Sequence, residues 1–307
     1  MPRHTPPRSP DLGLRYPRIA ATARVAVRLH PQRTSMPLPV TASKIGGRIA
    51  WPIADPWPVC RDHEYAMEVR SIHSRQLVTV GPDDPRHTGI VLPVLQLRRA
   101  DVPELPFPGD TDLFQMLWCS RLHDDDVQPR ISLRWRRETD LGSLRSVFPA
   151  PMSDAAHLGP GLDDLLIPRY ECFVQPDRVI DYLSPVELEE MESLDQDVLT
   201  DVWRVNNEGG VLAYPGTKVG GYPAWDQGPV QMTCPQGHPM CYLMTFGSDE
   251  PLDQMVSSPE EQEALKQGHA DTQALTEPTG MTFGRFGSMF VFYCPVCADH
   301  PAACDTQ

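Results

Sequence analysis

The chain has 307 residues, 40% of them hydrophobic, enough for one large domain or two ordinary ones with a buried core and no covalent staples. Its 34 prolines and 21 glycines argue against a helix-rich protein, because each proline removes a backbone donor and fixes φ, so short strands and turns are expected. Residues 1–36 hold seven arginines against one aspartate, so within a net charge of −14 the rest of the chain carries −20, a body that repels phosphate backbones and suits basic, extended partners.

Residues 1–20, with five prolines, read as a disordered leader or a misassigned start, since nothing in them is expected to repay the entropy of ordering. No apolar run reaches the length of a membrane span, and arginines interrupt residues 19–29, where a secretory signal would need a continuous apolar stretch. A cytoplasmic chain is therefore expected. In that reducing setting the eight cysteines point to thiolate chemistry or metal ligation rather than disulfides.

From Ala23 the pattern changes: Val25, Val27 and Leu29 alternate with Arg24, Ala26, Arg28 and His30, the period of a half-buried strand. Next comes Lys44-Ile45-Gly46-Gly47-Arg48-Ile49-Ala50-Trp51, a glycine turn that packs Trp51 beneath it. Strands are predicted over residues 89–97, 111–118 and 131–136, and a short one over 171–175. Ser184, Pro185 and Glu187 supply an N-cap, a first-turn proline and a capping-box partner for a helix running from Pro185 towards Trp203. The acidic run Glu187, Glu189, Glu190 and Glu192 reads as its solvated face. Strands over 240–246 and 287–293 and a short helix over 257–268 complete the pattern.

The turn motif occurs twice. Its second copy is Lys218-Val219-Gly220-Gly221-Tyr222-Pro223-Ala224-Trp225. Nine residues after each tryptophan stands a cysteine, in Cys60-x2-His63 and in Cys234-x3-His238; the closing pairs are Cys119-x3-His123 and Cys294-x2-Cys297. Cys60 to Cys119 spans 59 residues and Cys234 to Cys294 spans 60, which reads as an internal duplication. The expected fold is α+β, mainly β, an internally duplicated β-rich body with a zinc-ribbon-like module in each half. Its divisions are a leader (1–20), a first repeat (21–165), a connector with a helix (166–212) and a second repeat (213–307).

Two short ligand pairs separated by a long β insertion is the layout of a zinc ribbon. Cys234, His238, Cys294 and Cys297 would form a closed Cys3His site, and Cys60, His63, Cys119 and His123 a Cys2His2 site. One zinc is expected and a second is allowed, since Cys60 and Cys119 also read as ordinary buried thiols. Cys172, Cys241, Cys304 and His300 remain as spares, with Cys241 read as packed in a strand and Cys304 as a tail residue. For Gly46, Gly47, Gly220 and Gly221 the simpler reading is a turn that seats Trp51 and Trp225, although such a turn also exposes amides to a peptide or anion. Lys44 and Lys218 are expected to pair with a carboxylate across the duplicated interface.

No nucleophile elbow, Walker loop, HExxH or dinucleotide fingerprint is present, and no His-x-Glu precedes Cys294 as a zinc deaminase requires. The two motif copies, Cys234-Pro-Gln-Gly-His238-Pro-Met240 and Phe292-Tyr293-Cys294-Pro-Val-Cys297 resemble the YwqG-like family, of unassigned function, and more distantly the programmed-cell-death-two family of ribosomal-protein chaperones. The resemblance spans roughly residues 22–300. The chaperone likeness implies protein binding; with the acidic body and the zinc modules it leads to the expectation of a non-enzymatic, zinc-stabilised protein-binding or chaperone-like protein that recognises a peptide or basic extended segment. The alternative is a zinc-dependent hydrolase with an open site at Cys60, His63 and Cys119, where Glu64 or Asp124 is the base. Nucleic-acid binding through Arg134, Arg136, Arg137 and Arg145 around Trp135 is a weaker reading than a solvated strand face. The sequence leaves the partner and the oligomeric state open.

Overall fold

The computed structural model describes residues 3–7, 12–15, 17–60, 65–70, 75–80, 91–119, 128–146, 166–189, 196–207, 211–250, 257–266 and 271–307. In chain order the elements are α1 (Leu12–Arg15), α2 (Pro17–Ala20), β1 (Arg24–Arg28), β2 (Gln32–Arg33), β3 (Lys44–Ile45), β4 (Tyr65–Arg70), β5 (Arg75–Val80), β6 (Leu92–Arg98), β7 (Leu113–Cys119) and β8 (Arg130–Arg136). They continue with β9 (Cys172–Phe173), β10 (Asp177–Asp181), α3 (Pro185–Glu189), α4 (Gln196–Asn207), β11 (Lys218–Gly220), β12 (Cys241–Gly247), α5 (Pro259–Lys266), α6 (Thr272–Thr276), β13 (Ser288–Tyr293) and β14 (Ala302–Thr306). The class is α+β and mainly β.

Two six-stranded antiparallel sheets carry the fold, ordered β10-β1-β11-β12-β13-β14 and β2-β9-β3-β6-β7-β8, while β4 and β5 form a separate hairpin. Setting β1, β2, β3, β6, β7 and β8 against β9 to β14 in turn gives one strand order for both sheets, with β1 and β9 each lying in the other's sheet. The registers agree as well: Lys44 faces Gln96 and Ile45 faces Leu95, while Lys218 faces Thr245 and Val219 faces Met244. Each sheet has an irregularity at the matching place, between Pro93 and Leu95 and between Tyr242 and Met244. The exchange of β1 and β9 means that a cut between 165 and 213 does not separate the sheets.

The inner faces of both sheets share one core, in which Val94, Leu97, Phe114 and Met116 meet Val27, Val219, Met244, Phe246, Met289 and Val291. Trp118 of β7 stands edge-on to Phe246 of β12 with ring centres 5.5 Å apart, a geometry that adds to the burial of both rings. Because β1 lies inside a sheet, burial is continuous from Ala26 to His30 and only Val25 of the predicted alternating face remains exposed.

At the exchange, each motif lysine meets a carboxylate. Lys218 Nζ lies 2.5 Å from Asp181 Oδ2, both side chains fully buried, and Asp181 also accepts from the Tyr214 and Tyr222 amides at 2.9 and 3.2 Å. Lys44 Nζ donates to Glu171 Oε1 at 2.9 Å and to the Pro39 carbonyl at 3.1 Å, and Glu171 Oε2 accepts from the Leu38 amide. Gly47 and Gly221 hold φ near +70° and +68°, and a Cβ on either would land on the paired carboxylate. Glycine is therefore required there both by the backbone angle and by the space the ion pair fills.

Three expectations are corrected. The 1–20 leader is placed where described: α1 and α2 bury Leu12 and Ile19 against Tyr182, Leu188, Val202 and Leu212, which offsets the entropy of ordering a short proline-bearing stretch. Cys304 is buried in β14 against β13 rather than held in a tail. Cys241 is exposed, because it starts β12 at the sheet's end. The helix predicted from Pro185 is seen as α3 and α4 on either side of residues 190–195, which lie outside the described set. Its capping box forms, with Ser184 N donating to Glu187 Oε2 at 2.9 Å and Glu187 N to Ser184 Oγ at 3.2 Å.

Removing Asp181 would leave Lys218 charged and dry, so Asp181→Ala is expected to lower unfolding free energy by about 3–5 kcal/mol. Glu171→Ala should cost less, since Glu171 is partly solvated and Lys44 keeps the Pro39 carbonyl. Urea unfolding of the two variants measures the difference, and an equal or reversed order would count against this role for the Asp181 pair.

Candidate metal centre

Two tight loops at the same end of β12 and β13 bring four ligand atoms together. In the first, Gly237 N donates to Cys234 O at 2.8 Å and Cys234 N to His238 O at 2.9 Å, with Gly237 at φ +81°. A bridge between Thr233 and Pro239 closes this loop just ahead of β12. The second loop joins β13 to β14. There Cys297 N points at Cys294 Sγ at 3.4 Å, and Cys294 N donates to the Pro301 carbonyl at 2.9 Å. The spare His300 takes a left-handed φ of 45° and sets Nδ1 2.9 Å from the Cys294 carbonyl, so it braces the loop instead of joining the ligand set.

Cys234, His238, Cys294 and Cys297 present their ligand atoms within 4.8 Å of one another. Cys234 Sγ lies 3.5 Å from His238 Nδ1 and 3.8 Å from Cys297 Sγ; His238 Nδ1 lies 3.3 Å from Cys297 Sγ and 3.8 Å from Cys294 Sγ. A tetrahedron with metal–sulfur bonds of about 2.3 Å and a metal–nitrogen bond of about 2.0 Å has edges of roughly 3.5–3.8 Å. The four atoms thus match the edges of a tetrahedral site and could hold a metal ion.

Electrostatics ask for the cation. Burial, together with the Cys294 and Cys234 thiols, pushes Cys297 up to about 12. Burial also opposes ionisation of Cys294, but the Cys297 and Val296 amides outweigh it and hold that thiol below its ordinary value. As thiolates the three sulfurs would need a compensating charge in so small a space, which a bound metal would supply.

In the first half, Cys60 and Cys119 occupy the matching places: both are buried in one cluster with Ile49, Trp51, Val91 and Leu117, and Cys119 ends β7 as Cys294 follows β13. His63 and His123 lie outside the described residues, so the first predicted ligand set is seen only in its cysteines. Among the described residues, the Cys3His group is the one with metal-binding geometry.

The turn residues differ between the halves. Trp51 is fully buried, donates Nε1–H to the Asp55 carbonyl at 2.9 Å and packs on Trp57. Trp225 is half-buried, rests on Phe290 and walls a cleft of about 430 Å³ with Trp203 and Pro223, its Nε1–H having no acceptor among the described residues. Glu171 and Asp181 were not singled out from sequence; the available signal was only an acidic residue near each edge of a predicted or adjoining strand. The arginines around Trp135 are engaged internally: Arg136 with Asp55, Arg137 with Asp110 and Asp140, Arg134 with Ser132, and Arg145 with the Asp55 carbonyl.

No helix among the described residues is long and apolar enough to cross a membrane. Comparison of the sequence with protein-family models and with curated proteins gives no match.

The ligand geometry gives a count. Elemental mass spectrometry is expected to find metal that is lost in Cys294→Ser, while Cys241→Ser, in the next strand but outside the ligand set, keeps it. Retention of full metal by Cys294→Ser would remove the site.

Proposed function

We propose that this is a non-enzymatic protein whose second half is held by structural zinc and whose acidic body binds an extended, basic protein segment. The observation that supports the reading is the closed ligand set of Cys234, His238, Cys294 and Cys297: three sulfurs and one nitrogen would fill four positions on a metal, leaving none at that site for an activated water or substrate. Zinc is favoured over other ions by this soft, tetrahedral donor set in a chain whose cysteines are read as kept reduced. A metal that closes two loops contributes folding free energy instead of chemistry.

Charge selects the partner class. The body outside residues 1–36 carries −20, and the arginines that would meet a nucleic acid are engaged within the chain. The matching strand orders and registers support reading the halves as copies of one unit, and the distant resemblance to the programmed-cell-death-two chaperones agrees with a protein-binding role.

A fluorescein-labelled peptide rich in arginine and proline is expected to bind in fluorescence anisotropy, with affinity falling several-fold as salt rises from low to physiological ionic strength. Binding that is indifferent to salt and to peptide charge would contradict the reading.

A further inference from the structure

The described residues nearest the start of the chain lie as a guest in the fold. Over residues 3–7 burial falls on Arg3, partly on Thr5 and Pro6, while His4 and Pro7 are exposed. Arg3 is 7% exposed, with its guanidinium 2.9 Å from Glu261 and donating to the Pro31 carbonyl at 3.3 Å. The main chain is held by side chains of the body: Thr5 N donates to Asp177 Oδ2 at 2.6 Å, Arg3 O accepts from Gln175 Nε2 at 3.1 Å, and Pro6 O accepts from the Tyr214 hydroxyl at 3.4 Å. Thr5 Oγ1 also accepts from Arg28 at 3.3 Å and lies 3.2 Å from His30 Nε2.

Side chains that grip backbone groups read an extended conformation and not a particular sequence, which is how receptors hold extended peptides. The chief side-chain demand is for one cation. Glu261 is aimed at it in advance, because its other oxygen caps α5 by accepting the Ser258 amide at 2.8 Å. Asp177, which takes the Thr5 amide, is held ionised against its burial by His30 and that same amide.

We propose that the groove formed by Asp177, Gln175, Tyr214 and Glu261 is a receptor for an extended peptide carrying an arginine, and that residues 3–7 are its internal occupant, displaced when a partner segment binds. This rests on the binding role proposed above and names its site. The tethered arm competes at high effective concentration, so the groove is masked until the arm is outmatched or withdrawn.

The test uses the full chain and a labelled peptide with the sequence of residues 2–8. Arg3→Glu sets two negative groups against each other and should expel the arm; Thr5→Pro keeps Arg3 but removes the main-chain donor to Asp177 and the hydroxyl that meets Arg28 and His30, and serves if the first variant folds poorly. Either variant is expected to bind the peptide at least about tenfold more tightly than the unaltered chain. Adding Glu261→Gln, or replacing the first arginine of the peptide with alanine, should cancel the gain. Equal binding to altered and unaltered chains, insensitive to Glu261→Gln, would overturn the groove while leaving cationic-peptide binding intact. Failure of the unaltered chain and both variants to bind this or any other cationic peptide would overturn both.

Discussion

A lysine buried to zero exposure against a carboxylate also buried to zero exposure holds the exchanged strand β1 in its sheet. Lys218 and Asp181 are separated by β1, which lies between β10 and β11, so their contact spans the strand that the first half lends to the second sheet. Burying two charges is costly, and here the cost is offset by two further amide donors on Asp181 and by the absence of any Cβ at Gly221. The Lys44–Glu171 pair does the same work where β9 enters the first sheet. With the exchanged strands clamped, β11 fixes the register of β12, and β12 that of β13. Their shared end is where the two cysteine loops meet.

From that end, the proposed function rests on the ligand set and on charge. A ligand set filled by the protein's own atoms argues for a metal that stabilises, and the acidic body argues for a cationic partner. The groove that holds residues 3–7 gives those arguments a place: it supplies carboxylates to an arginine and side-chain partners to an extended backbone. The first half keeps the cysteine framework in an apolar setting beside Trp51 and Trp57, so the two ends of the molecule, alike in strand order, differ in their surroundings.

Much of this was legible because the signals are local. The strands ending at Cys119 and Tyr293, the capping box at Ser184 and Glu187, and the spacing of Cys234, His238, Cys294 and Cys297 depend on period, turn chemistry and fixed ligand geometry. What escaped depends on distant partners. Nothing near Val25 announces that β1 crosses into the other sheet, and nothing near Asp181 announces a lysine 37 residues onward. Cys241 and Cys304 were misjudged for a related reason: exposure at a strand end and burial at a chain end are set by neighbouring strands. The leader was misread because its few apolar residues, Leu12 and Ile19, find their partners in the connector.

The central claim is that the metal centre is closed by protein ligands and is therefore structural. X-ray absorption at the zinc edge on the purified chain tests it most directly. The account predicts three sulfurs at about 2.3 Å, one nitrogen at about 2.0–2.1 Å and no further oxygen neighbour. An oxygen in the first coordination sphere, with fewer than four protein ligands, would contradict it.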